Sequence, residues 1–192
     1  MKMLFADLET TGLDPKKNGI VQLAGIFCDY DENKGFVGVQ EEFNFLIRPF
    51  DSDEISEDAL KIQGRTQEQI KTYASPTETY LAIKSMLGKR VDKYNKKDKM
   101  FFCGYNAKFD MDFLREFFAK NKDVYFGSWF FFPPIDVMLM AAVGMMYNRT
   151  ELPDFKLGTV AQSYGIKIDG DLHDALVDIK LTMQLFQQMM TE

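Results

Sequence analysis

Short apolar runs of strand length alternate along this chain with segments whose apolar residues recur at helical spacing. The first run, Lys2-Met3-Leu4-Phe5-Ala6-Asp7-Leu8-Glu9, is apolar at odd and even positions alike, which predicts a strand buried on both faces. Leu13 to Gly19 has the composition of a loop, Ile20 to Cys28 is a second apolar run, and residues 31–35 read as a turn. Phe43, Phe45 and Ile47 alternate with Asn44, Leu46 and Arg48 until Pro49, the period-2 pattern of a strand. The connections between these three runs are short, so consecutive antiparallel strands are expected.

Beyond Pro49 the period changes. Ser56 with Ala59, Leu60 and Ile62 predicts a short helix ending near Gly64. Ser75-Pro76 opens a longer one whose apolar face is Tyr80, Leu81, Ile83, Leu87 and Val91. Met100 to Gly104 is a further strand, followed by a helix with Met111, Leu114, Phe117 and Phe118 as its stripe. The aromatic run Trp129 to Phe132 leads into Pro133-Pro134, so any strand there belongs at a sheet edge. Helices are expected over Val137–Tyr147 and Leu157–Tyr164, and a last one with Leu181, Leu185 and Met189 facing inward.

With 192 residues, 46% hydrophobic and 27% charged, the chain reads as one soluble globular domain over 1–192. Its longest apolar stretch, 137–147, is too short to span a bilayer, and an acid at Asp7 interrupts any secretory signal, so a cytoplasmic protein without membrane contact is expected. Cys28 and Cys103 lack both a disulfide framework and zinc-site spacing. The net charge of −6 argues against coating duplex nucleic acid by charge alone. Within it, residues 84–99 hold Lys84, Lys89, Arg90, Lys93, Lys96, Lys97 and Lys99 against Asp92 and Asp98. That segment reads as a solvated helix end and loop, because it enters the next strand at its start, away from where α/β sites form.

Candidate chemistry starts in the first strand. Strand alternation puts Asp7 and Glu9 on one face, where two carboxylates repel and lose hydration unless a cation joins them. Asp110 stands at a helix start beyond the end of a strand that can lie beside the first. His173, the one histidine, precedes Asp178 by five residues. The two share no helical face and converge only if His173 lies on the loop, with Asp174 as the helix cap.

Asp7-Leu8-Glu9-Thr10-Thr11-Gly12, Asn106-Ala107-Lys108-Phe109-Asp110 and His173-Asp174-Ala175-Leu176-Val177-Asp178 occur in that order across nearly the whole chain. In these blocks the sequence resembles the DEDDh (DnaQ-like) exonucleases, a family of proofreading subunits, ribonuclease T and oligoribonuclease. Gln22-Leu23-Ala24, Ile135-Asp136 and Leu157-Gly158-Thr159-Val160-Ala161 are similar to its weaker connecting motifs. The resemblance implies an α/β, ribonuclease H-like fold: a five-stranded mixed sheet, three antiparallel strands then two parallel, flanked by helices. It implies a 3′→5′ exonuclease that releases 5′-mononucleotides from the 3′ end of single-stranded DNA. A 3′→5′ exoribonuclease acting on RNA ends or short RNA, and a catalytically idle nucleic-acid-binding or DNA-polymerase-associated protein, stand as alternatives.

The implied cofactors are two divalent ions, Mg2+ or Mn2+, on Asp7, Glu9, Asp110 and Asp178, with His173 as general base. Thr10, Thr11 and Leu13 correspond to the family's pocket for the terminal nucleotide, with Phe109 beside it and Asn106 fixing the turn. The implied partner is a single-stranded 3′ end, and several relatives are homodimers. One departure stands out: Ile62-Gln63-Gly64-Arg65-Thr66 occupies the place of a His-Gly-Ile/Leu-Thr motif, so Gln63 replaces a histidine near the terminal nucleotide.

Overall fold

Alternation along the first strand decides how this molecule is layered. In the computed structural model, which describes residues 1–191, β1 (Lys2–Thr10) sends Leu4, Ala6 and Leu8 into one hydrophobic cluster and Met3 and Phe5 into another on the opposite face. A strand buried on both sides must lie mid-sheet. The order found is β3-β2-β1-β4-β5, with β1 at the centre. β2 (Ile20–Asp31) and β3 (Gly35–Leu46) pair antiparallel, β2 also pairs antiparallel with β1, and β4 (Phe101–Gly104) and β5 (Ile135–Asp136) complete the sheet in parallel. This is the mixed five-stranded arrangement expected, with the proline-adjacent strand reduced to two residues at the edge.

Helices cover both faces. α1 (Glu57–Ile62) and α2 (Gln67–Lys71) follow β3, and α3 (Pro76–Gly88) and α4 (Ala107–Lys120) supply one cluster through Tyr80, Ile83, Leu87, Met111, Leu114, Phe117 and Phe118. α5 (Val137–Gly144), α6 (Leu157–Ser163) and α7 (Ala175–Met189) supply the other. No helix among the described residues is long and apolar enough to cross a membrane.

Some elements differ from their sequence patterns. Leu81 was expected on the inner face of α3, yet it is 57% exposed, while Met86, outside the expected set, is buried. α5 stops at Gly144 rather than Tyr147; Leu139 and Val143 within it, and Met146 and Tyr147 beyond it, are exposed. α2 carried no apolar period of its own; a capping box between Thr66 and Gln69 starts it.

Candidate active site

β1 outlasts its parallel neighbour, and the site is built on that overhang. β4 pairs with β1 only over Met3–Phe5, so the backbone of Ala6 to Glu9 extends past it. There the N–H of Leu8 donates to Asp110 Oδ1 at 3.1 Å. Asp110 reaches it from the first turn of α4, where it is 3% exposed. Two backbone features bring α4 so close. Asn106 takes a left-handed conformation (φ 64°), its N–H donating to Asp136 Oδ1 at 3.1 Å, so the chain turns sharply out of β4. Gly104 then passes the first strand so tightly that an added Cβ would lie 3.0 Å from the Ala6 carbonyl oxygen.

From the other face of the sheet comes α7. Asp7 and Glu9 continue the row of Met3 and Phe5, which points at α7, and Asp178 stands in that helix's first turn. Asp174 caps α7, accepting the N–H groups of Leu176 at 3.0 Å and Val177 at 3.3 Å. His173 thereby falls on the preceding loop, as its convergence with Asp178 requires, at φ 72°. Its backbone N–H donates to Asp178 Oδ2 at 3.2 Å, and side-chain ligand atoms of Glu9, His173 and Asp178 lie within 4.8 Å of one another.

The electrostatics of this cluster are costly. Burial, then Asp110, Asp178, Glu9 and Asp174, pushes Asp7 well above the ordinary carboxylate range. Burial and Asp178 push Glu9 up to about 7 against the pull of the Arg65 guanidinium. Asp110 is raised well above its usual value by burial despite the Leu8 N–H. Asp178 is raised by burial despite the His173 N–H and side chain. Asp110 and Asp178 each have one oxygen fixed by a backbone N–H, while Asp178 Oδ1 is buried with no hydrogen-bond partner. Four clustered, partly desolvated carboxylates with an orphaned oxygen form a donor set suited to hard divalent cations, so the residues fit the implied metals.

The expected nucleotide-pocket residues fare differently. Leu13 stands 85% exposed on the loop after β1. Phe109 is half-buried, its ring 4.8 Å from that of Phe113. The Thr10 hydroxyl donates to the Gly12 carbonyl at 2.7 Å. Every polar group of Thr11 is engaged inside the protein: its hydroxyl donates to Glu54 O and accepts from Gly19 N, its N–H donates to Gly19 O, and its carbonyl accepts from Ser56 N. These bonds make Thr11 a tie that shapes the loop after β1.

Sequence reasoning passed over a polar hub behind the acids. Gln22, 1% exposed in β2, donates through Nε2 to Asn44 Oδ1 at 3.0 Å and Asp174 Oδ2 at 3.1 Å. Its Oε1 accepts from Arg65 Nη2 and from the Ala175 N–H. A glutamine inside the apolar run Ile20 to Cys28 was the visible signal. Gln63 also has a structural partner, donating to the Thr10 carbonyl at 2.8 Å.

Known proteins resemble this chain in sequence and in fold. The chain is 28% identical over 188 residues to ribonuclease T of Haemophilus influenzae, covering 97% of this chain and 78% of that one. Ribonuclease T of Actinobacillus pleuropneumoniae is 28% identical over 187 residues, with 97% and 82% covered. E. coli exonuclease I bound to a dT13 oligonucleotide superposes with a TM-score of 0.73 at 23% identity, over 97% of this chain and 40% of that one. The zinc-bound exonuclease I complex with single-stranded DNA gives 0.76 at 23%, over 99% and 40%. The chain thus spans about two fifths of these solved chains, and the likeness to them is one of fold. Residues 4–186 match the RNase T family model described as exonuclease, and the chain belongs to that family of DEDDh, DnaQ-like 3′→5′ exonucleases.

Proposed function

We propose that Asp7, Glu9, Asp110, Asp178 and His173 form the hydrolytic site of this exonuclease, and that its substrate is the 3′ end of single-stranded DNA, released as 5′-mononucleotides. The observation that carries the assignment is convergence. Carboxylates from β1, α4 and α7 meet past the end of β4, and the lone histidine reaches the same point from a loop. Asp7, Glu9, Asp110 and Asp178 would hold two Mg2+ or Mn2+ ions, whose chemistry is to acidify the attacking water and stabilise the leaving 3′ oxygen.

The side chains supply the rest. Backbone N–H groups lock the rotamers of Asp110 and Asp178, so the site is set before substrate arrives. His173, exposed on its loop, would take the proton from the attacking water. Leu13, 85% exposed on the loop after β1, would wedge under the terminal base.

A ribonucleolytic reading is favoured by the relatives covered over most of their length, which are named ribonuclease T. The DNA reading is supported by the fold neighbours that hold single-stranded DNA. One experiment tests both: 5′-labelled DNA and RNA oligonucleotides of matched sequence, digested with Mg2+ or Mn2+. A descending ladder from the 3′ end is expected on DNA, abolished in Asp178→Ala. In His173→Ala it should slow by about 10²–10⁴-fold with metal binding retained. Wild-type rates in both variants would refute the assignment, and a ladder on RNA alone would replace DNA with RNA.

A further inference from the structure

The end of β1 remote from the carboxylates carries charge that hydrolysis does not use. Asp98 accepts from Lys2 Nζ and, at 2.9 Å, from the Asp92 N–H, while Asp92 Oδ1 accepts the Tyr94 N–H at 3.1 Å. Lys2 thus neutralises Asp98, while Asp92 accepts only a neutral N–H and keeps its charge. Lys84 pairs with Asp123 at 2.9 Å, Arg90 with Glu41 at 2.5 Å, and Lys99 Nζ donates to the Gly127 carbonyl. Lys89, Lys93, Lys96 and Lys97 have no acidic partner among the described residues. In a chain of net charge −6 these four ammonium groups outnumber Asp92, the one acid of the segment without a cationic partner, and leave the segment net positive.

The cluster comes with an aromatic surface. Lys89, Lys93, Tyr94 and Trp129, together with Asp92, line a concavity of about 460 Å³. Tyr94 is 85% exposed, and Lys93 Nζ sits 5.1 Å from its ring centroid and 6.0 Å from that of Trp129. Trp129 Nε1–H is shielded from solvent and has no acceptor. Free cations beside an exposed ring suit a polyanion that also carries flat faces. An acidic peptide would use the lysines and leave the ring idle.

We infer that Lys89, Lys93, Lys96, Lys97 and Tyr94 form a second contact for the single strand whose 3′ end lies at the carboxylates, the lysines holding phosphates and Tyr94 stacking a base. The inference rests on the hydrolytic reading for the identity of the strand. Seven residue steps of β1 separate Glu9 from Lys2, about 23 Å at about 3.3 Å per residue. A strand stacked at about 3.4 Å per nucleotide needs about seven nucleotides to cover that distance, so a trinucleotide cannot reach.

The test compares the wild-type chain with the fourfold variant Lys89→Gln, Lys93→Gln, Lys96→Gln, Lys97→Gln, and with Tyr94→Ala, each matched to wild type by circular dichroism and melting. Binding of a labelled single strand of about 30 nucleotides is followed by fluorescence anisotropy in EDTA. The fourfold variant should bind about tenfold or more weakly. Its plot of log K against log salt should be shallower by about 3, at about 0.7 per lost phosphate contact. Tyr94→Ala should lose about fivefold or more. Trinucleotide hydrolysis with Mg2+ should be unchanged in both. Wild-type affinity and salt slope in the fourfold variant overturn the proposal. So does a poly-glutamate peptide that binds wild type as tightly as the strand and loses that binding in the variant. The two readings fail separately, since an inert trinucleotide in wild type strikes the carboxylate assignment alone.

Discussion

Gln22 is the residue on which the precision of the carboxylate cluster most depends. It ties the cap of α7 (Asp174, Ala175) to β3 (Asn44) and to the loop carrying Arg65, all from inside a central strand. Arg65 in turn is the cation that opposes the rise of Glu9. Buried polar groups stripped of a partner cost about 1–3 kcal/mol each, because the desolvation remains when the bond is gone. Gln22→Leu keeps the size of the side chain and removes every one of these bonds. We expect it to lower the free energy of unfolding in urea by about 1–3 kcal/mol. It should also lower kcat more than it raises KM, since Asp174 no longer fixes the loop of His173. Wild-type kcat in a destabilised variant would confine Gln22 to a packing role.

Among the elements, the junction of β4 with α4 does most to place an acid. Gly104 lets the strand end lie against the Ala6 carbonyl, which is backbone and cannot swing aside. Gly104→Ala should push α4 away from β1, stretch the Leu8 to Asp110 hydrogen bond, and cost about 1–3 kcal/mol as an overpacking change. Its diagnostic is a rise in the Mg2+ concentration for half-maximal activity alongside a lowered Tm; a lowered Tm with unaltered Mg2+ dependence would break the link to Asp110. Elements of this kind were the most legible in the sequence. β1 announced itself by apolar residues on both faces, and Asp7 and Glu9 by interrupting them. The Asp174 cap and the loop position of His173 followed from the impossibility of sharing a helical face. What could not be read was set by contacts between distant segments. Leu81 fits the apolar period of α3, but no neighbouring element covers it. The bonds of Thr11 to Gly19, Glu54 and Ser56 likewise join two loops that meet only in the folded chain.

At the scale of the whole molecule, the site is a standing electrostatic cost that should appear in the stability of the metal-free protein. Glu9 is raised from 4.5 to about 7, and Asp7, Asp110 and Asp178 are raised with it. Between the unfolded and folded values the native chain holds protons that the unfolded chain has released, so stability falls as pH rises through that window. Asp123 works the other way: hydrogen bonds from Tyr80 and Lys84 lower its carboxyl despite burial, and that contribution is lost only as pH falls through the lowered value. The two signs together place the stability maximum of the metal-free protein on the acid side of neutrality. In EDTA, Tm should decline as pH rises from about 4.5 to about 7, the range in which Glu9 is forced to ionise, and the raised Asp7, Asp110 and Asp178 add to the same direction. Mg2+ should reverse the trend, because it binds the ionised cluster and competes with protons for it. At a concentration of about 100 times its dissociation constant it adds about 2.7 kcal/mol, and this increment should grow with pH as fewer protons must leave. Melting curves with EDTA and with Mg2+ should therefore diverge toward alkaline pH and converge in Asp178→Ala. Parallel curves across the range would mean that the carboxylates carry their charge without strain and that the cluster is not a metal site.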